Sequence, residues 1–330
     1  MTLSLPLGFA FLLLAALFLE PLSKRLHLPF PTLLVGAGFL VSEALVAAGV
    51  DTGLRWHHFH DLVLHLLLPI LIFESALHLR PARIKEDLVP ILVLALPGVA
   101  IGATLTGTLL FWGINHPTGF PWPAALLAGV LLAATDPVSV VALCRRLGAP
   151  ERLTALLEGE SLFNDATAVV LYTLLLPVAI LGASPDGGWT WGSGMAQFLW
   201  SFLGGLGCGF VAAAIVRGVL HRLASAVPAA LFTVAMVVLT YYLVEQAMGA
   251  SGILALLVMG LATGEACRRV RDDFVMRFWG MNAWMGQVIL FVLAGATITI
   301  AMFAERWLAM LIAVGAMLVA RAFTLSLIHI

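Results

Sequence analysis

Two stretches of the chain bring together residue types that can do chemistry. In EGESLFNDATAVVLY (158–172), Glu158, Glu160, Asn164 and Asp165 open a segment that runs on almost wholly apolar. On a helix, Ser161, Asn164 and Asp165 stand i, i+3, i+4 and share one face, with Glu160 and Asn164 as an i, i+4 pair on the neighbouring strip. In LLAATDPVSVVAL (131–143), Pro137 cannot donate a hydrogen bond and drives Asp136 towards extended geometry. A helix broken at Thr135-Asp136-Pro137 would leave free carbonyls and half-helix ends able to face a cation. A plain proline kink is the simpler alternative, since membrane helices tolerate prolines. Carboxylate, amide and hydroxyl oxygens suit a hard cation such as sodium or lithium rather than a transition metal. No cofactor and no permanently bound metal are expected. A carboxyl removed from water ionises less readily, so a proton and a cation could compete for it near neutral pH.

The elements that position these groups are membrane helices. Of the 330 residues 62% are hydrophobic and 11% charged, against about 45–50% and about 25% in soluble domains. Apolar runs of about 20 residues fall near 3–20, 29–49, 61–79, 87–113, 122–145, 152–181, 195–217, 226–246, 250–266, 281–299 and 307–326, making eleven spans. Odd-numbered loops carry 14 of the 17 basic residues, among them Lys24, Arg83, Arg145, Arg217 and Arg271, whereas even-numbered loops carry Arg55 and Arg306. Odd loops are therefore expected in the cytoplasm and the N-terminus outside. The first run lacks a basic segment ahead of it, so it reads as a retained span. By helical rise, Asp165 lies about 20 Å and Asp136 about 13 Å from the cytoplasmic ends of their spans, so the two acids meet near the middle of a core about 30 Å thick.

A charge at that depth costs about 2.5–3.5 kcal/mol, yet Glu74, Asp136, Glu158, Glu160 and Asp165 lie well inside spans and Glu43 nearer an end. One such acid can be structural; several that converge suggest function. A net charge of −1 offers no footprint for nucleic acid. Cys144, Cys208 and Cys267, an odd number in or beside apolar segments, read as small buried residues rather than a disulfide framework.

ATDPVSVVAL and EGESLFNDATAVV, preceded by LLLPILIFESALHLR, resemble the sodium/proton antiporters of the NhaP and eukaryotic sodium/hydrogen exchanger group, the cation:proton antiporter-1 family, over about residues 28–326. The resemblance implies an all-α transporter fold with inverted repeats, and exchange of sodium for protons, one for one and electroneutral; lithium or potassium are the other cations considered. It makes Asp165 the ion- and proton-binding carboxylate with Asn164 as its partner. Thr135 and Asp136 then form the unwound crossing point, Ser161 a hydroxyl ligand and Glu74 a further acid near the ion. Glu160 becomes a structural acid paired with an arginine on a late helix, for which Arg321 is the candidate as the only basic residue inside a span. A second broken helix with a Gly-Leu-Arg-Gly-like stretch finds no match, so the expectation is one transmembrane transporter domain over 1–330 that lacks about two final spans. The expected partners are sodium ions, protons, the lipid bilayer and a second copy in a homodimer; the expected location is a bacterial-type plasma (inner) membrane.

Other patterns invite simpler readings. His57, His58, His60 and Asp61 cluster in an outer loop, which reads as solvated rather than metal-binding; His65 and His78 are read as satisfied helix histidines. Gly205 and Gly209 have the spacing for close helix contact, either in a dimer interface or within the subunit. Trp112, Trp122 and Trp307 near span ends suggest an interfacial belt. An intramembrane aspartyl hydrolase would also use two midplane acids, but it needs carboxylates close enough to share a proton. A non-transporting sensor or fragment is the third possibility.

Overall fold

The computed structural model describes residues 5–49, 62–79, 81–114, 120–134, 144, 147–181, 191–223, 225–270 and 273–326. All regular structure among them is helical. In chain order the helices are α1 (Leu5–Leu26), α2 (Phe30–Ala47), α3 (Val63–His78), the short α4 (Pro81–Glu86), α5 (Leu88–Gly113), α6 (Trp122–Ala133), α7 (Glu151–Leu181), α8 (Trp191–Leu220), α9 (Ala226–Ala247), α10 (Gly252–Arg268), α11 (Phe274–Ala296) and α12 (Ile300–Ser326). Apart from α4, each falls on one of the eleven sequence spans. Seven are long and apolar enough to cross a membrane: α2, α5, α7, α8, α9, α11 and α12.

Prolines mark the starts where they cost least, in the first turn of α2 and of α6, whose amides lack intrahelical partners anyway. Gly148, at φ +67°, turns the chain just ahead of α7, a conformation open to glycine without steric cost. Ser251 caps α10 by accepting from the Leu254 N–H at 3.2 Å.

Two boundaries differ from the hydropathy reading. α11 starts at Phe274 rather than 281, and α12 at Ile300 rather than 307. Hydropathy stops at Arg277 and at Glu305-Arg306, but a helix backbone continues beyond the hydrocarbon layer, where its charged turns are solvated. Arg306, at φ −129° and ψ 15°, kinks α12 at that point.

Small residues decide which helices touch. A Cβ on Gly205 would come within 2.6 Å of the Ser251 carbonyl oxygen, and one on Gly209 within 2.6 Å of that of Ala255. The Gly205/Gly209 face is therefore pressed onto α10 of the same subunit, which resolves the choice left by its spacing. α10 in turn packs on α3, α2 on α11, and α5 on both α6 and α12. The largest core cluster gathers Phe73, Leu77, Leu254, Leu257, Met259 and Trp279 from α3, α10 and α11. Trp279 satisfies its buried indole N–H on the Thr233 hydroxyl of α9 at 2.9 Å.

Candidate functional site

The acid-rich strip lies in the first half of α7, with Glu160, Ser161 and Asn164 buried and Glu158 and Asp165 half-buried. The Asn164 amide Nδ2 donates to the carbonyl oxygen of Ala133 at 3.0 Å. Ala133 ends α6, and Ala134 after it is already extended at φ −66°, ψ 128°. The last carbonyls of a helix have no intrahelical partner, so Asn164 fastens α7 at the point where α6 runs out. Asp165, the next residue, is thereby held at the same level. Thr135, Asp136 and Pro137 lie outside the described residues.

Glu160 faces another way. Arg321 of α12 donates from Nη1 and Nη2 to its two carboxylate oxygens, each at 2.9 Å. The Glu160 side chain is 3% exposed and that of Arg321 29%. Gly98 and Gly102 line a small cavity of about 20 Å³ beside Arg321, together with Ala133, Ala320 and Thr324. A Cβ on Gly102 would already touch the Thr324 methyl at 3.4 Å, so small residues on α5 let α12 approach closely. Both Glu160 oxygens are thus engaged by a fixed cation of the protein.

Glu74 sits on α3, half-buried, with its Oε1 3.2 Å from Nδ1 of His78 one turn further on. The same nitrogen lies 3.0 Å from the Glu74 carbonyl oxygen. Glu43 has a structural partner, since its Oε1 accepts the Ile300 N–H at 3.0 Å and so caps the start of α12.

Two contacts near the site carry no spacing signal. Arg152, in the first turn of α7, donates from Nε to both Asp87 oxygens at 3.0 and 3.1 Å and from Nη2 to Oδ1. This guanidinium holds the Asp87 carboxyl below the usual carboxylate range. The pair clamps the start of α7 to the start of α5. Arg268 of α10 reaches across to the carbonyls of Leu77, His78 and Leu79 at 2.9, 3.1 and 3.5 Å, supplying donors where α3 ends. Asp87 could have been suspected as an acid just ahead of an apolar run, but its partner is 65 residues away.

Among the described residues no three His, Cys, Asp or Glu side chains converge in a way that could hold a metal ion. His57, His58, His60 and Asp61 lie outside them. Cys144 and Cys208 are free and half-buried, and Cys267 is free and buried.

Residues 9–328 match the family described as sodium/hydrogen exchanger, transmembrane. The chain is 35% identical over 270 residues to the Na(+)/H(+) antiporter ApNhaP of Aphanothece halophytica, covering 80% of this chain and 50% of that protein. To the Na(+)/H(+) antiporter NhaS2 of Synechocystis sp. it is 31% identical over 322 residues, covering 95% and 55%. The chain therefore spans about half the length of these curated relatives. Its fold is similar to that of the sodium proton antiporter MjNhaP1 from Methanocaldococcus jannaschii, with a TM-score of 0.80 at 20% identity over 96% of this chain and 76% of that one.

Proposed function

Because the chain belongs to the sodium/hydrogen exchanger transmembrane family, we propose that it exchanges sodium ions for protons, with Asp165 carrying the two alternately. The observation that carries this reading is the Asn164 bond to the Ala133 carbonyl, which sets the Asn-Asp pair against the end of α6. The carbonyl end of a helix carries partial negative charge and favours a cation beside Asp165. Glu160 does not compete for that cation, because Arg321 engages both of its oxygens. Asp165 itself is half-buried in the first half of α7. Sodium stabilises the carboxylate and a proton neutralises it, and only one can occupy it at a time. Ser161, Thr135, Asp136 and Glu74 complete the oxygen set around the ion. Rocking of one helix bundle against the other exposes the site to each side in turn.

With one carrier carboxylate and an amide beside it, the exchange is one proton per cation and electroneutral. Sodium is the main cation, with lithium and potassium as weaker alternatives. The chain acts as a single transmembrane transport unit in a homodimer, in a bacterial-type inner membrane with the N-terminus outside. The relatives and the solved structure named above are antiporters, which supports a transporter over the hydrolase and sensor readings.

The test is sodium-induced proton movement in proteoliposomes of the complete gene product, read with an enclosed pH dye. Asp165→Asn should abolish the signal while the protein stays folded, and Asp165→Glu should keep weak exchange with altered sodium affinity. Undiminished exchange by Asp165→Asn would move the carrier role to Asp136 or Glu74.

A further inference from the structure

A second polar cavity, of about 400 Å³, opens where α3, α10 and α11 end or begin, lined by His78, Arg268, Asp273, Met276, Arg277 and Gly280. It lies on the face that carries the odd-numbered loops. Among the described lining residues, three cationic or potentially cationic side chains from three helices meet the carboxylate of Asp273, and the Glu74 carboxylate stands behind His78 at 3.2 Å. Arg268 is held in place by its bonds to Leu77, His78 and Leu79 at the end of α3. The His78 side chain is 53% exposed and spends its Nδ1 on Glu74, leaving Nε2 for another partner. Arg277 stands exposed on the first turns of α11. Asp273, ahead of that helix, takes up the left-handed conformation at φ 56°.

We propose that this cavity binds an anionic phosphate group between Arg268 and Arg277, with His78 as a third donor. Guanidiniums are weakly hydrated and present donors in a fork that matches phosphate oxygens two at a time. Arg268 is already oriented by carbonyls, so little side-chain freedom is lost when an anion arrives. Among the described lining residues, two permanent positive charges, Arg268 and Arg277, stand against the one negative charge of Asp273, an imbalance that favours an anion. The phosphate can belong to a lipid headgroup of the adjoining leaflet or to a free solute. Either occupant joins α3 to α11 one helical turn from Glu74. The binding itself does not depend on the exchange reading.

The test uses the purified protein in nanodiscs of phosphatidylcholine, with thermal unfolding followed as inorganic phosphate is added. A second arm replaces part of the lipid with phosphatidylglycerol and adds no phosphate. Loss of one charge-assisted contact weakens binding by about tenfold, so Arg277→Gln should raise the half-saturating phosphate or phosphatidylglycerol concentration by about that factor. Asp273→Asn should lower it, because a lining carboxylate is removed and Asn accepts the left-handed conformation. Opposite signs from two neighbouring substitutions are not the mark of a general loss of structure. A response in the first arm alone identifies a soluble phosphate, and in the second alone a headgroup. Stabilisation in neither arm, or the wild-type response from Arg277→Gln, overturns the proposal. Because neither arm reads transport, failure of exchange by the wild-type protein counts against the proposed function and leaves this inference standing.

Discussion

The Glu160–Arg321 pair makes the strongest quantitative prediction, because its two partners are buried to different degrees. Two N–H···O bonds of 2.9 Å join a carboxylate that is 3% exposed to a guanidinium that is 29% exposed. Removing one member of such a pair strands the other charge, at a cost of about 3–5 kcal/mol. Arg321→Ala leaves the more deeply buried Glu160 without its cation and should cost the most. Glu160→Ala leaves Arg321 with some access to its surroundings, where its long stem lets the charged end snorkel, and should cost less. Taking about 3 kcal/mol and the usual unfolding entropy per residue, a chain of this length should melt about 4 °C lower. The assay is fluorescence-detected thermal unfolding in detergent, with folded yield as a second readout. Replacing both residues by apolar ones of similar volume, Glu160→Leu with Arg321→Met, should restore most of the loss, since no charge is then stranded. If Arg321→Ala melts with the wild type, or costs less than Glu160→Ala, the argument from burial fails.

Two other expectations concern the scaffold. Asp87 is held below its ordinary range by Arg152, so the stability this pair adds is fully present above the unfolded carboxyl value of about 3.9 and is lost as pH falls through the lower folded value. The difference in melting temperature between wild type and Asp87→Asn should therefore be constant from pH 5 to 8 and shrink only in stronger acid; a difference that changes between pH 6 and 7 would assign it to another group. Gly209→Leu, aimed at a carbonyl 2.6 Å from its first carbon, should lower the folded yield of each subunit rather than split a dimer. Cross-linking of the surviving protein with an unchanged oligomer ratio checks it, and a folded monomer would contradict it.

The class, the helices and the acid-bearing strip were legible because they depend on local patterns. Twenty apolar residues between charges mark a span whatever surrounds it, and the i, i+3, i+4 spacing puts Ser161, Asn164 and Asp165 on one face of any helix. Helix ends were less legible, as Phe274 and Ile300 show, because hydropathy follows the hydrocarbon layer while hydrogen bonding follows the backbone. Partners belong to the tertiary structure. Glu43 meets Ile300 across 257 residues, Arg152 meets Asp87 across 65 and Glu160 meets Arg321 across 161, and no spacing rule connects positions so far apart. The sequence narrows the partners of Glu160, since Arg321 is the only basic residue that the spans read from sequence hold away from their end residues, but the bond exists because glycines on α5 admit α12. The same holds for Gly205 and Gly209, whose spacing promises close contact with some helix while the packed subunit selects α10. A sequence determines what a helix offers to its neighbours; which neighbour accepts it depends on how all the helices fill the available space together.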